Sequence, residues 1–107
     1  MSIFNVDSYV VKSGKQEEFT AWLQTFRKYK EDHPEAFKGL KSWRLFHREY
    51  GGISGSYVSL LEFDSMTDLV RVMTWMQQDE QFLKIGRALE LLMDPATYSS
   101  EIWSAVV

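Results

Sequence analysis

A chain of 107 residues, 45% apolar and 25% charged, has room for one hydrophobic core, so residues 1–107 are read as a single domain. A formal net charge of −3 gives no electrostatic reason to bind nucleic acid or an anionic membrane, and neither partner is expected. The absence of cysteine excludes disulfides and thiolate metal sites, and no run of about 18 apolar residues is long enough to span a bilayer. The opening MSIFNVDSYV lacks a basic segment followed by an apolar run, so a cytoplasmic location is expected. Aromatic residues make up 15% of the chain, more bulk than a small core usually holds, which points to a ligand cavity or a subunit interface.

Residues Ile3 to Val11 are predicted to form the first strand, because Phe4, Val6, Ser8 and Val10 alternate with Ile3, Asn5, Asp7, Tyr9 and Val11. Apolar side chains fall on both faces, so the strand belongs inside a sheet covered on both sides. Ser13 then caps a helix, with Gln16 completing a capping box and Glu17 and Glu18 at the positive end of the helix dipole. Phe19, Trp22, Leu23, Phe26 and Tyr29 recur at helical spacing, and Pro34 ends the helix.

After a loop over Glu35 to Gly39, Leu40–Tyr50 and Ser56–Phe63 form a hairpin turned at Gly51, Gly52 and Gly55. The second arm is the more apolar and is expected further inside the sheet. Asp64 or Ser65 caps a second helix bearing Met66, Leu69, Val70, Met73 and either Trp75 or Met76. The polar stretch Gln78 to Glu80 breaks it, and Phe82, Ile85, Ala88, Leu89 and Leu92 begin a second stripe. Gly86 within that stripe costs about 1 kcal/mol relative to alanine, tolerable where a neighbouring element approaches closely. Pro95 ends the segment, and Thr97 to Val107 alternates as a fourth strand.

This order of elements is a split βαβ unit used twice, which predicts an α+β domain: a four-stranded antiparallel sheet with its helices on one face. The other face is not polar enough to be fully solvated, so a homodimer with sheets face to face is expected.

Three stretches carry a resemblance to a known family. The lead-in Tyr9-Val10-Val11-Lys12-Ser13-Gly14-Lys15-Gln16-Glu17-Glu18-Phe19 and the junction Leu61-Glu62-Phe63-Asp64-Ser65-Met66 resemble the dimeric α+β barrel superfamily, which has ferredoxin-like βαββαβ topology. The tail with Asp79, Phe82, Pro95 and Trp103 is similar to the NIPSNAP-like branch. The resemblance implies a small apolar or aromatic ligand held between sheet and helices. Its two functional expectations are a cofactor-independent, antibiotic-biosynthesis-monooxygenase-like enzyme acting on an aromatic or polycyclic substrate, and a non-catalytic binding or stress-related module of NIPSNAP-like type.

Aligning Gly14 with the family's glycine puts Asp7 where the haem-degrading branch carries a catalytic asparagine, with Asn5 and Tyr9 on the same strand face. Polar groups buried on a central strand must be hydrogen-bonded or must face a hydrated pocket. Trp75 falls where a relative carries a catalytic tryptophan, although an aromatic at this spacing is ordinarily core. The family's helical histidine is missing, since none follows His47, so haem is disfavoured and no cofactor is expected.

His47, with its near-neutral pKa, suits proton transfer if it faces the cavity. The candidate ligand pocket is therefore Asn5, Asp7, Tyr9, His47 and Trp75, with Asp7 and His47 as catalytic candidates. No metal site is expected, because His33 and His47 fall on different elements without ligand spacing. Arg44 and Arg48 share a strand face and suit an acidic substrate or a dimer interface, with Glu101 as a potential partner.

Overall fold

The structure, a computed structural model, describes residues 2–107. Strand β1 (Ile3–Val11) lies inside a four-stranded antiparallel sheet of order β2-β3-β1-β4, with β2 at Leu40–His47, β3 at Tyr57–Phe63 and β4 at Met93–Ser104. Three helices complete the chain: α1 (Gln16–Asp32), α2 (Met66–Gln78) and α3 (Glu80–Leu92). None is long and apolar enough to cross a membrane.

The helices pack on the sheet face that carries Tyr9, Val11, Leu61 and Phe63. Tyr9 and Val11 join Phe19 and Met93 in one buried cluster, while Leu61 and Phe63 meet Phe26, Tyr29, Val72, Met76 and Ile85 in a larger one. The stripe of α1 behaves as its spacing requires, with Phe19, Phe26 and Tyr29 fully buried. The hairpin places β3 inside the sheet and β2 at its edge, as the difference in apolar content predicts.

Several boundaries differ from the sequence reading, each for a local reason. Ser13 does not cap α1. Gly14, at φ +80°, sets a turn closed by the Lys15 N–H on the Lys12 carbonyl (3.1 Å), and Lys15 becomes the cap residue without a side-chain bond. Strand β2 stops at His47 rather than Tyr50, because the chain turns back once Arg48 has paired with Ser56 (2.7 Å). Of the two caps expected for α2, Ser65 is the one used, accepting from the Asp68 N–H.

At the predicted break, Asp79 closes α2 and caps α3, its carboxylate accepting from the Phe82 N–H (3.2 Å) and from the Tyr29 hydroxyl (2.5 Å). Strand β4 begins at Met93, upstream of Pro95, and ends at Ser104. Its register against β1 jumps from Ser8–Ser99 to Val10–Asp94, leaving Pro95 in a bulge where a missing N–H breaks no ladder. The Val10 N–H is satisfied there by the Thr97 hydroxyl (2.9 Å).

The helix-free face presents Phe4, Val6, Val58 and Leu60 at its centre, with Phe46 on β2 and Trp103 on β4 at its two edges. Phe46 and Trp103 are 40% and 49% exposed, so this face holds uncovered aromatic surface. Arg44 lies on it with its guanidinium 4.9 Å from the Phe46 ring centre, and Glu101 lies on it at the opposite edge. Arg44 and Glu101 do not pair within one chain, because β3 and β1 stand between their strands. Arg48 lies beyond β2, with its guanidinium against Gly52 in the loop.

Candidate functional site

Between sheet and helices lies a cavity of about 720 Å³. Strand alternation puts Asn5, Asp7 and Tyr9 side by side on its floor, beside Ser59 and Leu61 of β3 and Trp43 of β2. Trp22 and Phe26 of α1, Met73 and Met76 of α2, and Phe82 and Leu89 of α3 supply an apolar roof. Exposed lining residues, Glu90 and Leu91 of α3 with Pro95 and Tyr98 of β4, mark the mouth. A shallower, more open groove of about 630 Å³ runs along α1 and α3, sharing Trp22 and Leu91 with the cavity.

Two indoles are fixed by the protein itself. The Trp43 Nε1–H donates to the Ser59 hydroxyl (2.9 Å), and the Trp22 Nε1–H donates to the Ile85 carbonyl (2.8 Å), holding α1 to α3. Gly86 also lines the cavity, and a side-chain carbon built on it meets no atom within 4 Å. Close packing is therefore not why α3 tolerates a glycine here. Its missing side chain leaves space in the cavity.

The floor is polar and incompletely satisfied. Asn5 is 4% exposed, and its Oδ1 has no hydrogen-bond partner. A buried acceptor left in this state costs on the order of 1–3 kcal/mol. Asp7 accepts from the Tyr98 hydroxyl at 3.3 Å. Burial pushes the Asp7 carboxyl above its ordinary value, with the hydroxyls of Ser100 and Tyr98 opposing the shift. Tyr9 is held well above the usual phenol range, first by burial and then by the nearby charge of Asp7.

Because folding raises the Asp7 pKa, its stabilising contribution is complete below its ordinary value of 3.8 and is lost as pH rises through the raised value. Asn at this position never ionises and can still accept from Tyr98. Asp7→Asn is therefore expected to be more stable than wild type at pH 7, with the gap closing towards pH 4. Urea midpoints at the two pH values check this; a gap independent of pH would contradict the burial argument.

Of the five pocket residues expected from the sequence, Asn5, Asp7 and Tyr9 line one cavity, and His47 and Trp75 do not. His47 sits at the last position of β2, with Nδ1 bonded to the Glu49 carboxylate (2.8 Å) and its ring 5.0 Å from that of Tyr57. Tyr57 packs in turn on Phe19, and Phe19 on Tyr9, so two rings separate His47 from the floor. Trp75 lies on another side of α2 from Met73 and Met76 and packs against Tyr29, His33 and Phe37. His33 caps α1, with Nδ1 2.8 Å from the Tyr29 carbonyl oxygen.

Sequence reasoning missed Trp43, Ser59, Tyr98 and Glu90. Ser59 carried a usable signal, as a small hydroxyl between Tyr57 and the buried Leu61 on one strand face. Tyr98 carried none, because the β4 bulge places it.

No family model matches the chain, and comparison with curated proteins gives no match. Solved structures do match. A candidate antibiotic biosynthesis monooxygenase from Caulobacter crescentus superposes with a TM-score of 0.71 at 20% identity, covering 99% of this chain and 91% of the other. A NIPSNAP family protein from Agrobacterium tumefaciens gives 0.68 at 15% identity, covering 99% and 94%. A dimeric protein of unknown function with a ferredoxin-like fold from Bacteroides fragilis gives 0.61 at 11% identity, covering 97% and 96%. The strand order, the paired helical layer and these likenesses together give the chain the ferredoxin-like α+β fold of the NIPSNAP and antibiotic-biosynthesis-monooxygenase-like structures.

Proposed function

We propose that this protein binds a small aromatic or polycyclic molecule in the cavity between sheet and helices, and works as a homodimer with one such cavity in each protomer. The cavity itself carries the reading: at about 720 Å³, walled by apolar and aromatic side chains and floored by Asn5, Asp7 and Tyr9, it has the size and lining of a small-molecule site. On that floor, Asp7 is a carboxylate that burial makes more basic, suited to take a proton from a ligand hydroxyl or an acidic C–H. That chemistry fits a cofactor-independent, monooxygenase-like reaction or an isomerisation. The absence of any histidine after His47, hence of the family's helical histidine, favours the cofactor-independent form over haem chemistry.

Binding without turnover, as in a NIPSNAP-like module, is the second reading. The position of His47 favours it, since the cavity then lacks the side chain whose ordinary pKa lies nearest neutrality. The homodimer draws support from the uncovered aromatic surface on the helix-free face and from the Bacteroides fragilis neighbour, described as dimeric.

The test is titration with a panel of two- and three-ring aromatics, read by the fluorescence of Trp22 and Trp43 and followed by a soaked crystal. Ligand density beside Asn5 is expected. Gly86→Leu fills the cavity from α3 without burying a charge. It should weaken binding at least tenfold while raising helix stability by up to about 1 kcal/mol. Unchanged affinity in that variant, or density elsewhere, would sink the proposal.

A further inference from the structure

We infer that the ligand is a cation: a protonated amine carried on an aromatic scaffold. The inference rests on the reading of the cavity as a ligand site and adds the charge and hydrogen-bonding class of what enters.

Every charged side chain lining the cavity is acidic, with Asp7 on the floor and Glu90 at the mouth. Among the described residues no lysine, arginine or histidine lines it. Asp7 has no cationic partner; the groups that meet its carboxylate are the hydroxyls of Ser100 and Tyr98, the latter at 3.3 Å. A partly buried carboxylate without a counter-charge is an arrangement that an entering cation would relieve.

Both indole donors of the cavity wall are already spent on Ser59 and Ile85, which leaves the Asp7 carboxylate as the charged acceptor of the floor. An ammonium set beside Asp7 can donate to its carboxylate.

The walls suit the same ligand. Trp22, Phe26, Trp43 and Phe82 line the cavity and give the aromatic body that bears the cation rings to pack against. An anionic ligand would meet two carboxylates and no compensating charge.

Three near-isosteric probes separate the possibilities: 2-(1-naphthyl)ethylamine, 2-(1-naphthyl)ethanol and 1-naphthylacetate, titrated calorimetrically at pH 7. The amine is expected to bind at least tenfold more tightly than the alcohol, and the carboxylate most weakly. The preference stays modest because the ammonium also loses water on entering. Asp7→Asn should bring amine and alcohol within threefold of one another, with its fold checked by circular dichroism. If the alcohol or the carboxylate matches or beats the amine, the cavity remains a ligand site and the cation inference is overturned. If none of the three binds, both it and the ligand-site reading fail. The wild-type series decides between these outcomes even if the variant does not fold.

Discussion

Replacement of Asp79 by alanine is expected to destabilise the fold by about 3 kcal/mol, lowering the midpoint of thermal unfolding by about 15 °C. Two losses combine. The Asp79 carboxylate caps α3 at the Phe82 N–H, a role worth about 1 kcal/mol when a capping side chain is truncated. It also receives the hydroxyl of Tyr29, which is 1% exposed and would be left without a partner in a closed aromatic cluster, at a cost of about 2 kcal/mol.

Burial, reinforced by the Asp79 carboxylate, holds the Tyr29 phenol far above its ordinary pKa, so it stays a proton donor across the working range. Tyr29→Phe removes the donor but leaves the cap, and should cost only about 1 kcal/mol. The double variant should then fall short of the sum of the singles, since both act on one bond. Urea unfolding of the three variants measures the cycle. Loss of less than 1 kcal/mol in Asp79→Ala would mean that water or a neighbouring group replaces the carboxylate. The junction also matters for the cavity, because Asp79 sets where α3 leaves α2, and residues from both helices form the roof.

What could be read from the sequence divides along physical lines. Periodicity is a local property, so the buried stripe of α1 and the shared face of Asn5, Asp7 and Tyr9 were legible without a structure. The extent of a cavity along a face is not local. His47 shares its strand face with Trp43, yet it stands at the strand's end, where Tyr57 and Phe19 close the space before it. Trp75 and Met76 differ by one helical step, about 100°, and only the packing of α1 decides which of them faces the cavity.

The capping box at Ser13 failed for a related reason. Its pattern was present, but the backbone of Gly14 ended a turn before the helix began. Tyr98 reaches Asp7 only because β4 bulges around Pro95, and that bulge is a relation between strands far apart in sequence. Gly86 was noticed for its cost, and its meaning changed once the space beside it was seen to be empty.

Leu60→Arg is expected to convert the proposed dimer, about twice 12.6 kDa, into a monomer of 12.6 kDa at micromolar concentration. The reason lies in one cross-strand row of the helix-free face. Registers align Arg44, Leu60, Val6 and Glu101 in that order across β2, β3, β1 and β4. A two-fold axis along the strands reverses such a row upon its copy, setting Leu60 over Val6 of the partner subunit and Arg44 over the partner's Glu101. The row is its own complement: two apolar positions inside and opposite charges outside.

Leu60 is already partly buried within one chain, so arginine there removes apolar burial worth on the order of 1 kcal/mol and strands a charge against the partner's Val6. Symmetry applies the loss twice, so at least about 3 kcal/mol, or about a hundredfold in dissociation constant, is expected. Arg44→Glu alone should weaken the dimer by setting like charges together, and adding Glu101→Arg should restore it. Sedimentation equilibrium reads all four proteins. A monomeric wild type at 100 µM would remove the dimer altogether, whereas loss in Leu60→Arg without recovery in the charge-swapped pair would keep the dimer and change its axis. Because the cavity opens on the other side of the sheet, monomeric Leu60→Arg should still bind ligand with wild-type affinity. If affinity falls with dimerisation, residues of the partner subunit complete the site.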